Sequence, residues 1–486
     1  MISRLALSIF IFSVVNVCLA QKLPLKTSHE TDWCITCHRN LTPGVVAAWR
    51  KSTHAKMTVK MAREKKGLAS KVSSTDIPEE LTGVVVGCYE CHGLRPEEHT
   101  DNFKHNGSRI NIVVTPKDCA VCHSVEASQF TTSKKAMAHD NLTKNPVYRK
   151  LMSAVASKSG GAPTTDTLNT TCLACHGSKV EVVGRESISR GIPVRVPVLS
   201  NWPNQGIGRV NPDGSTGSCS ACHPRHTFSI EVARKPQTCS QCHLEPDFPA
   251  WNVYHESKHG NIVLSNPNDI DWKSVPWEPG RHFTAPTCAT CHVSLLADSK
   301  GRELVKGDHN LGNRLWMRLA GFVHSHPQPR DGATHKIRNS DGLPLPTTFD
   351  NRLASEFLIN EEEQQARRKQ MTAICTSCHS TMWTRSFFKG LDSTISETNE
   401  MTLKATNLIQ QAWRHGLADK ENPFDEPIEY DWVRCWLYYA NSIRYGAAMA
   451  GPDYTTFKNG WAELNNKIDI IEKAVKKSSS ATSTEK

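Results

Sequence analysis

The stretch of sequence that runs from Cys172 to Gly260 repeats one five-residue signature three times. The three copies are CLACH (172–176), CSACH (219–223) and CSQCH (239–243). Two further motifs follow them, PDFPAW (246–251) and ESKHG (256–260). Repetition of one chemical signature at short intervals indicates that this stretch is organised around several copies of the same site.

Five more copies of the signature lie outside this stretch, so the 486-residue chain carries eight. The pattern C-x-x-C-H is typical of c-type haem attachment, in which two thiols bind the haem vinyl groups and the histidine becomes the proximal iron ligand. The predicted attachment cysteines are Cys34, Cys37, Cys88, Cys91, Cys119, Cys122, Cys172, Cys175, Cys219, Cys222, Cys239, Cys242, Cys288, Cys291, Cys375 and Cys378. The predicted proximal ligands are His38, His92, His123, His176, His223, His243, His292 and His379.

Two other kinds of cysteine site fit the pattern less well. A secreted disulfide scaffold gives no reason for a histidine directly after every cysteine pair. Zinc ribbons use paired C-x-x-C units, but a histidine next to the second cysteine has no function in them. The sequence therefore predicts eight covalently bound haems.

The composition agrees with a core built from haem. Only 38% of the residues are apolar and the mean hydropathy is −0.45, so side chains alone would make a thin core. Porphyrins are large apolar discs that can replace it. The formal net charge is +10, but about sixteen haem propionates would largely cancel it. The basic residues are also scattered, and we expect no nucleic-acid partner.

Two of the 18 cysteines lie outside the signatures. Cys18 ends an apolar run that is preceded by Arg4, and Asn16 and Val17 make a poor context for a lipid anchor on it. Cys435 lies in the aromatic run DWVRCWLYYA and is expected to be a packed core thiol.

The chain is predicted to have five parts. A secretory signal peptide is expected first, because its apolar run is too short to span a membrane. Export to the periplasm or an equivalent extracytoplasmic compartment agrees with haem attachment, and the mature protein is expected to be soluble. The parts are a signal peptide (1–20), an N-terminal domain with haems one to three (21–160), a central catalytic domain with haems four to seven (161–350), haem eight with a C-terminal helical domain (351–477) and a disordered tail (478–486).

The predicted fold class is mainly α. The N-terminal and central regions show little strand alternation, and we expect loops and short helices packed around haem. A Gly- and Thr-rich loop is predicted at 158–171, and a polar excursion at 331–350. Long helices are predicted at 396–417, 427–450 and 456–477, with a break at Gly451 and Pro452.

Fourteen histidines remain after the proximal ligands are counted, enough to give every haem a second axial ligand. His99 and His105 compete for one such position, and His282, His324, His326 and His335 compete for one or two others. His29, His255 and His415 are expected not to bind iron. The distal ligands that we predict are His54, His99, His139, His226, His259, His309 and His326.

Five features of the sequence carry a family resemblance: the eight signatures, the close spacing of the fourth to the sixth, the CHPRH element at 222–226, the PDFPAWNVYHESKHG element at 246–260 and the late helical segment. Together they resemble the octahaem hydroxylamine oxidoreductase family. This family includes hydrazine dehydrogenases and nitrite-reducing relatives. The resemblance covers nearly the whole chain after the leader.

The resemblance implies that the haem on Cys172, Cys175 and His176 is five-coordinate and catalytic, while the other seven are bis-histidine electron carriers. It also implies a homotrimer formed through the C-terminal helices, which would use the broad apolar face of 427–450. In oxidising members, a tyrosine from a neighbouring subunit is cross-linked to the catalytic haem. Tyr454 is the matching candidate here.

One pair of residues departs from the oxidising members of the family. They resemble one another in an Asp-His pair after the sixth haem site, where this chain has Asp247 and Phe248. Asp247 could accept the protons that hydroxylamine oxidation releases, especially if burial raises its pKa. Phe248 cannot accept a proton, and it would make the site drier and narrower.

Three functions therefore remain open. The resemblance implies an oxidoreductase that converts hydroxylamine to nitric oxide and passes the electrons to a cytochrome, and a small cytochrome subunit is a further candidate partner. A first alternative is nitrite reduction in the opposite direction. A second alternative is an electron-transfer subunit without catalysis.

Overall fold

The computed structural model describes residues 25–157, 161–190 and 192–484. The mainly α fold that the sequence predicts is confirmed, with short helices and loops before residue 360 and long helices after it. The signal-peptide prediction falls on residues 1–20, outside the described residues. Within the described ranges, none of the helices combines the length and the apolar character that crossing a bilayer requires.

Short helices dominate the first two thirds of the chain. The helices before residue 180 are His29–Leu41, Pro43–Lys51, Val59–Arg63, Glu79–Thr82, Tyr89–His92, Pro116–Ala120, Ser124–Thr131, Ala138–Thr143, Pro146–Ala156, Thr165–Thr170 and Cys172–His176. The helices between residues 200 and 300 are Ile230–Arg234, Pro236–Ser240, Ala250–Glu256, Lys258–Ser265 and Cys288–His292. Each is too short to be stable alone, so tertiary packing must hold it.

Four antiparallel two-stranded sheets accompany these helices in the described residues. The strand pairs are Asn102–His105 with Ser108–Asn111, Val182–Arg190 with Ile192–Leu199, Leu296–Ala297 with Glu303–Val305, and Met317–Arg318 with His326–Pro327. The long hairpin at 182–199 was not predicted. Its second strand alternates Ile and Val with Pro and Arg, but Pro193 and Pro197 obscure that pattern in the sequence.

The C-x-x-C-H signatures adopt a common local structure. In several signatures the backbone N–H of the histidine donates a hydrogen bond to the carbonyl of the first cysteine, at 2.9–3.0 Å. Examples are His92 to Cys88, His223 to Cys219 and His379 to Cys375. One turn of helix places residues four apart on one face. The signature therefore presents its first cysteine and its histidine together, as haem attachment requires.

Long helices form the C-terminal region. They are Glu361–Thr376, Thr381–Arg414, Pro427–Val433, a π-helical turn at Arg434–Tyr439, Ala440–Met449, Pro452–Thr456 and Trp461–Thr484. Ser380 begins the longest of them by accepting a hydrogen bond from the N–H of Trp383. The predicted break at Gly451 is confirmed, because Ala450 adopts a left-handed conformation there.

The C-terminal helices enclose an aromatic cluster. Trp432, Trp436, Phe424 and Ile443 are fully or almost fully buried in it. Cys435 is buried in the same cluster, as predicted for a packed thiol. The chain itself thus covers much of the apolar face of 427–450, although Tyr430 is 40% exposed.

Three local predictions are wrong. Residues 478–484 continue the last helix as far as Thr484, although a disordered tail was expected. Part of the predicted loop at 158–171 is the helix Thr165–Thr170, which Thr164 caps. The polar segment 331–350 is not an excursion, since Leu345 is fully buried in the aromatic cluster.

Candidate haem sites and catalytic centre

Two of the predicted proximal histidines, His92 and His38, are held by hydrogen bonds to Nδ1, which leaves Nε2 for a metal. The Nδ1 atom of His92 lies 2.8 Å from the carbonyl oxygen of Asn111, and Nδ1 of His38 lies 2.9 Å from Oγ1 of Thr42. Such bonds orient an imidazole and leave Nε2 for the metal. Burial also lowers the pKa of His176 and of His223 to about 4, which favours the neutral ring that metal binding needs.

Three pairs of histidine rings have the spacing of two axial ligands. The ring centres are 6.2 Å apart for His38 and His105, 6.3 Å for His54 and His123, and 6.1 Å for His259 and His379. Two imidazoles that bind one metal from opposite faces, with metal–nitrogen bonds of about 2 Å, have ring centres about 6 Å apart. The geometry therefore supports His54 and His259 as distal ligands.

Two more predicted ligands lie near a proximal histidine. The pKa of His226 is lowered by burial and then by the charge of His92. Burial also lowers the pKa of His223, and the next contribution comes from His309. Such electrostatic effects require proximity, so His226 lies near His92 and His309 near His223, but the iron that either residue would bind stays a prediction.

His99 does not have the surroundings of an iron ligand. Its Nδ1 lies 3.3 Å from Asp101 and its Nε2 lies 3.3 Å from Asp118, so both ring nitrogens face carboxylates. Burial opposes the charged ring, but the two hydrogen bonds outweigh it and raise the pKa of His99 to about 9. Because His105 faces His38, the prediction of His99 is corrected in favour of His105.

His139 and His326 are each anchored through Nδ1. That atom lies 2.6 Å from the carbonyl oxygen of Gly177 in His139 and 2.7 Å from the carbonyl oxygen of Pro327 in His326. The Nε2 atom of His326 is buried and has no hydrogen-bond partner among the residues that the structure describes. A buried, unpartnered nitrogen agrees with metal binding, but the iron that either residue would bind stays a prediction.

A cavity of about 1730 Å³ runs through the body of the molecule. Cysteines from the second to the eighth signature line it, together with apolar side chains such as Leu142, Phe228 and Ile395. Thiols that converge on an apolar space fit covalently attached haems. The described residues therefore accommodate the predicted cofactor.

Asp247, Phe248, Tyr445 and Arg318 line this cavity together with His176. Burial and hydrogen bonds have the largest effects on the pKa values of Cys172 and Cys175, and the charge of Asp247 raises both pKa values further. The carboxylate of Asp247 therefore lies near the fourth attachment site. Burial raises the pKa of Asp247 itself, more than its backbone hydrogen bonds lower it. The carboxyl group can thus hold a proton near His176.

Phe248 packs between two aromatic neighbours. Its ring centre is 4.4 Å from that of His243 and 4.9 Å from that of Tyr445. Asn441 fixes the same loop, because its Nδ2 donates to the carbonyl of Asp247 at 3.1 Å. The helix Ala440–Met449 thus holds the Asp247-Phe248 pair in place.

Arg318 and Tyr445 were not identified as site residues from the sequence. Burial is the main cause of the low pKa of His176, and the positive charge of Arg318 adds to it. Burial also raises the pKa of Tyr445, with Arg318 as the next influence in the opposite direction. No motif marks either residue, since Arg318 lies on a two-residue strand and Tyr445 looks like one of several packing tyrosines.

Tyr454 has a partner within its own chain. It is buried, and its pKa is raised by burial and then by a hydrogen bond to Glu245. Glu245 follows the sixth signature, two residues before Asp247. A cross-link to the haem of a neighbouring subunit would require Tyr454 to leave this contact.

The helical scaffold and the repeated attachment sites define a multihaem c-type cytochrome. A model for a cytochrome with a seven-fold multihaem CxxCH pattern matches residues 212–307 and 336–422, and a model for cytochrome c554 and c-prime matches residues 33–108 and 118–194. A solved structure described as a hypothetical multiheme protein is 44% identical, covers 94% of this chain and 97% of its own, and superimposes with a TM-score of 0.89.

Two relatives from Kuenenia stuttgartiensis are more distant. A solved structure of a reducing HAO-like protein complex is 20% identical, with a TM-score of 0.63 over 94% of this chain and 86% of that chain. A curated relative called a probable nitrite reductase-hydroxylamine oxidoreductase fusion protein is 24% identical over 428 residues, 83% of this chain. The chain spans 40% of the length of that relative. The chain belongs to the multihaem c-type cytochromes, and its more distant similarity extends to proteins described as hydroxylamine oxidoreductase-like.

Proposed function

We propose that this protein is a haem-dependent oxidoreductase that reduces nitrite, or a similar small nitrogen oxyanion, at the haem on Cys172, Cys175 and His176. The observation that carries the proposal is the cationic Arg318, which lines the same cavity as His176 and Asp247 and lowers the pKa of His176 through its charge, after the larger effects of burial and Lys135. A guanidinium group suits a planar oxyanion because it donates two parallel hydrogen bonds.

The haem at this site would supply electrons and an iron position open to the substrate. Arg318 binds the anion and neutralises its charge. Asp247, whose pKa is raised by burial, holds a proton and donates it as the substrate is reduced. Phe248 and Tyr445 keep water away, which strengthens both electrostatic contacts.

The other haems would form the electron path to this centre. The path needs an external electron donor, and we propose a cytochrome or a small cytochrome subunit. The similar fold of the Kuenenia stuttgartiensis complex supports a bound partner chain. We further propose export and a homotrimer, with Tyr454 as a cross-link only if the enzyme works oxidatively.

Oxidation of hydroxylamine to nitric oxide is the second candidate, and Asp247 favours it as a base near the fourth attachment site. Two observations count against it. Phe248 replaces the basic partner of that aspartate, and Tyr454 lies near Glu245 of its own chain, which raises the pKa of Tyr454 after the larger effect of burial. Mass spectrometry of the peptide around His176 separates the two, because only the oxidative form should carry a covalently attached Tyr454 peptide.

The experiment is a steady-state assay of the purified holoprotein. Nitrite reduction is measured with a reduced viologen dye, and hydroxylamine oxidation is measured with an oxidised cytochrome. We expect Arg318→Ala to raise the KM for nitrite by about 10- to 100-fold and Asp247→Asn to lower kcat by about 100-fold. Arg330→Ala is the control, since Arg330 is exposed and donates to the carbonyl of Leu358.

Three outcomes contradict the proposal. Activity with hydroxylamine alone would assign the oxidative direction. Activity with neither substrate, together with a spectrum that lacks high-spin iron, would favour an electron-transfer subunit. An unchanged KM in Arg318→Ala would remove Arg318 from substrate binding.

A further inference from the structure

Three segments of the chain share a sequence pattern that the eight signatures do not include. Each consists of an aromatic residue, any two residues, serine, any residue, then histidine or lysine, then alanine or glycine. The segments are WRKSTHA (49–55), FTTSKKA (130–136) and YHESKHG (254–260). The last-but-one position is His54 in the first, Lys135 in the second and His259 in the third.

The backbone follows the same course in all three segments. The serine N–H donates to the carbonyl of the aromatic residue at 2.8, 2.9 and 3.0 Å. The serine Oγ then accepts from the N–H three residues later, at 3.1 Å for Ser52, 3.3 Å for Ser133 and 3.1 Å for Ser257. This repeated turn aims the side chain between serine and the small residue in a fixed direction.

In the first and third segments, that side chain faces a proximal histidine. His54 lies opposite His123 and His259 lies opposite His379, at the spacing of two ligands on one iron. In the second segment, Nζ of Lys135 lies 2.8 Å from Nε2 of His243. Lys135 thus occupies the position of a distal ligand relative to the sixth signature.

The surroundings of Lys135 suit a nitrogen ligand better than a salt bridge. None of the carboxylates in the described ranges forms an ion pair with it, and it lines the same cavity as Cys239 and Cys242. Two nitrogens on opposite faces of one iron are about 4 Å apart, so the amine would need to withdraw by about 1 Å. A lysine side chain with four methylene groups can do so.

We propose that Lys135 takes the place of His139 or His326 as a distal axial ligand, on the haem attached through Cys239, Cys242 and His243, which would be a histidine–amine haem among bis-histidine haems. Lys135 lies near His176 as well, since its charge is the largest influence on the pKa of His176 after burial. The histidine–amine haem would therefore lie next to the catalytic centre.

The test is EPR and near-infrared magnetic circular dichroism of the oxidised holoprotein, because these spectra distinguish amine from imidazole as an axial ligand. We expect a histidine–amine signal from one haem in the wild type. Lys135→Ala should lose this signal and gain one high-spin haem, which added imidazole should return to low spin. Lys135→His should convert the signal to a bis-histidine one, since it restores the pattern of the other two segments.

Lys134→Ala is the matched control, because the amine of Lys134 hydrogen-bonds instead to Oε1 of Gln328. Its spectrum should equal that of the wild type. An unchanged spectrum in Lys135→Ala would overturn the proposal, and an ion pair between Lys135 and a haem propionate would then be the alternative. These spectra need no substrate, so they stand whether or not the protein reduces nitrite.

Discussion

The region before residue 360 has short helices and the region after it has long ones, and the two differ in what fills their cores. A cavity of about 1730 Å³ lined by signature cysteines lies mainly in the first region and reaches Cys375 and Cys378 in the second. The second encloses Trp432, Trp436 and Phe424 in a cluster of side chains without any signature residue. The comparison shows that one chain can combine a core made by its cofactor with a core made by its own residues.

Removal of haem should produce the largest difference in stability between the two regions. If the chain is produced without haem attachment, we expect residues 25–335 to lose most amide protection, because their short helices have no core to pack against. The helices between Glu361 and Thr484 should keep much of theirs. Hydrogen exchange with mass spectrometry measures both, and equal loss in the two regions would break the comparison.

Removal of a side chain from the aromatic cluster should destabilise the C-terminal region without affecting haem attachment. Trp432→Ala removes a fully buried ring and should cost about 3–5 kcal/mol in the free energy of unfolding. Haem content should not change. Denaturant unfolding measures the loss, and Phe457→Ala serves as control because Phe457 is 69% exposed; a similar loss in the control would refute the explanation.

Alanine substitution of two histidines in the N-terminal region should distinguish an iron ligand from a structural residue. His105→Ala should turn one haem from low to high spin, since His105 faces His38. His99→Ala should leave the haem spectrum unchanged but cost about 1–3 kcal/mol, because Asp101 and Asp118 each lose a buried hydrogen bond. Absorption spectra and denaturation of both variants check this, and a spin change in His99→Ala would reverse the assignment.

The smallest expected effect concerns pH. Burial, followed by a hydrogen bond from Glu426, raises the pKa of Glu429 to about 7, above its value of about 4.3 in an unfolded chain. The protonated form is thus favoured by folding, and its contribution to stability is lost as pH rises from about 4.3 through 7. Glu429→Gln should flatten the fall of Tm between pH 5 and 8, an effect on the order of 1–2 kcal/mol.

Glu397→Gln is the control for that experiment, because Glu397 is exposed and bonded only to Ser393 among the described contacts. It should keep the pH dependence of the wild type. An equal flattening in both variants would assign the pH dependence to another group.

The haem sites could be read from the sequence because covalent chemistry is local. Two cysteines and a histidine in one helical turn suffice for attachment, and no distant residue changes that requirement. The presence of long helices was also predictable, since their apolar residues recur periodically within a few positions. Their bounds were not, because the helix predicted at 396–417 begins at Thr381, after the cap Ser380. Pairing of distal ligands was only partly predictable, as His99 and His105 illustrate.

Other features depended on contacts between distant segments. The segment 331–350 looks polar, yet Asn145 donates to the carbonyl of Pro344 and draws it inward. The apolar side chains of 427–450 gave no sign in the sequence of which of them the chain buries itself, and Trp432 and Trp436 are buried against other helices while Tyr430 is 40% exposed. Burial is a property of the folded whole, and composition cannot reveal which segment supplies the cover.

The sequence by itself determined that this protein is a multihaem cytochrome with a helical C-terminal region, because those properties follow from short-range spacing. Only the tertiary structure decided that Arg318, Tyr445 and Asp247 share a cavity with His176 and that Lys135 meets His243. These residues come from segments far apart in the chain, and the physical reason is that folding, not sequence proximity, sets the distances over which charges and ligands act.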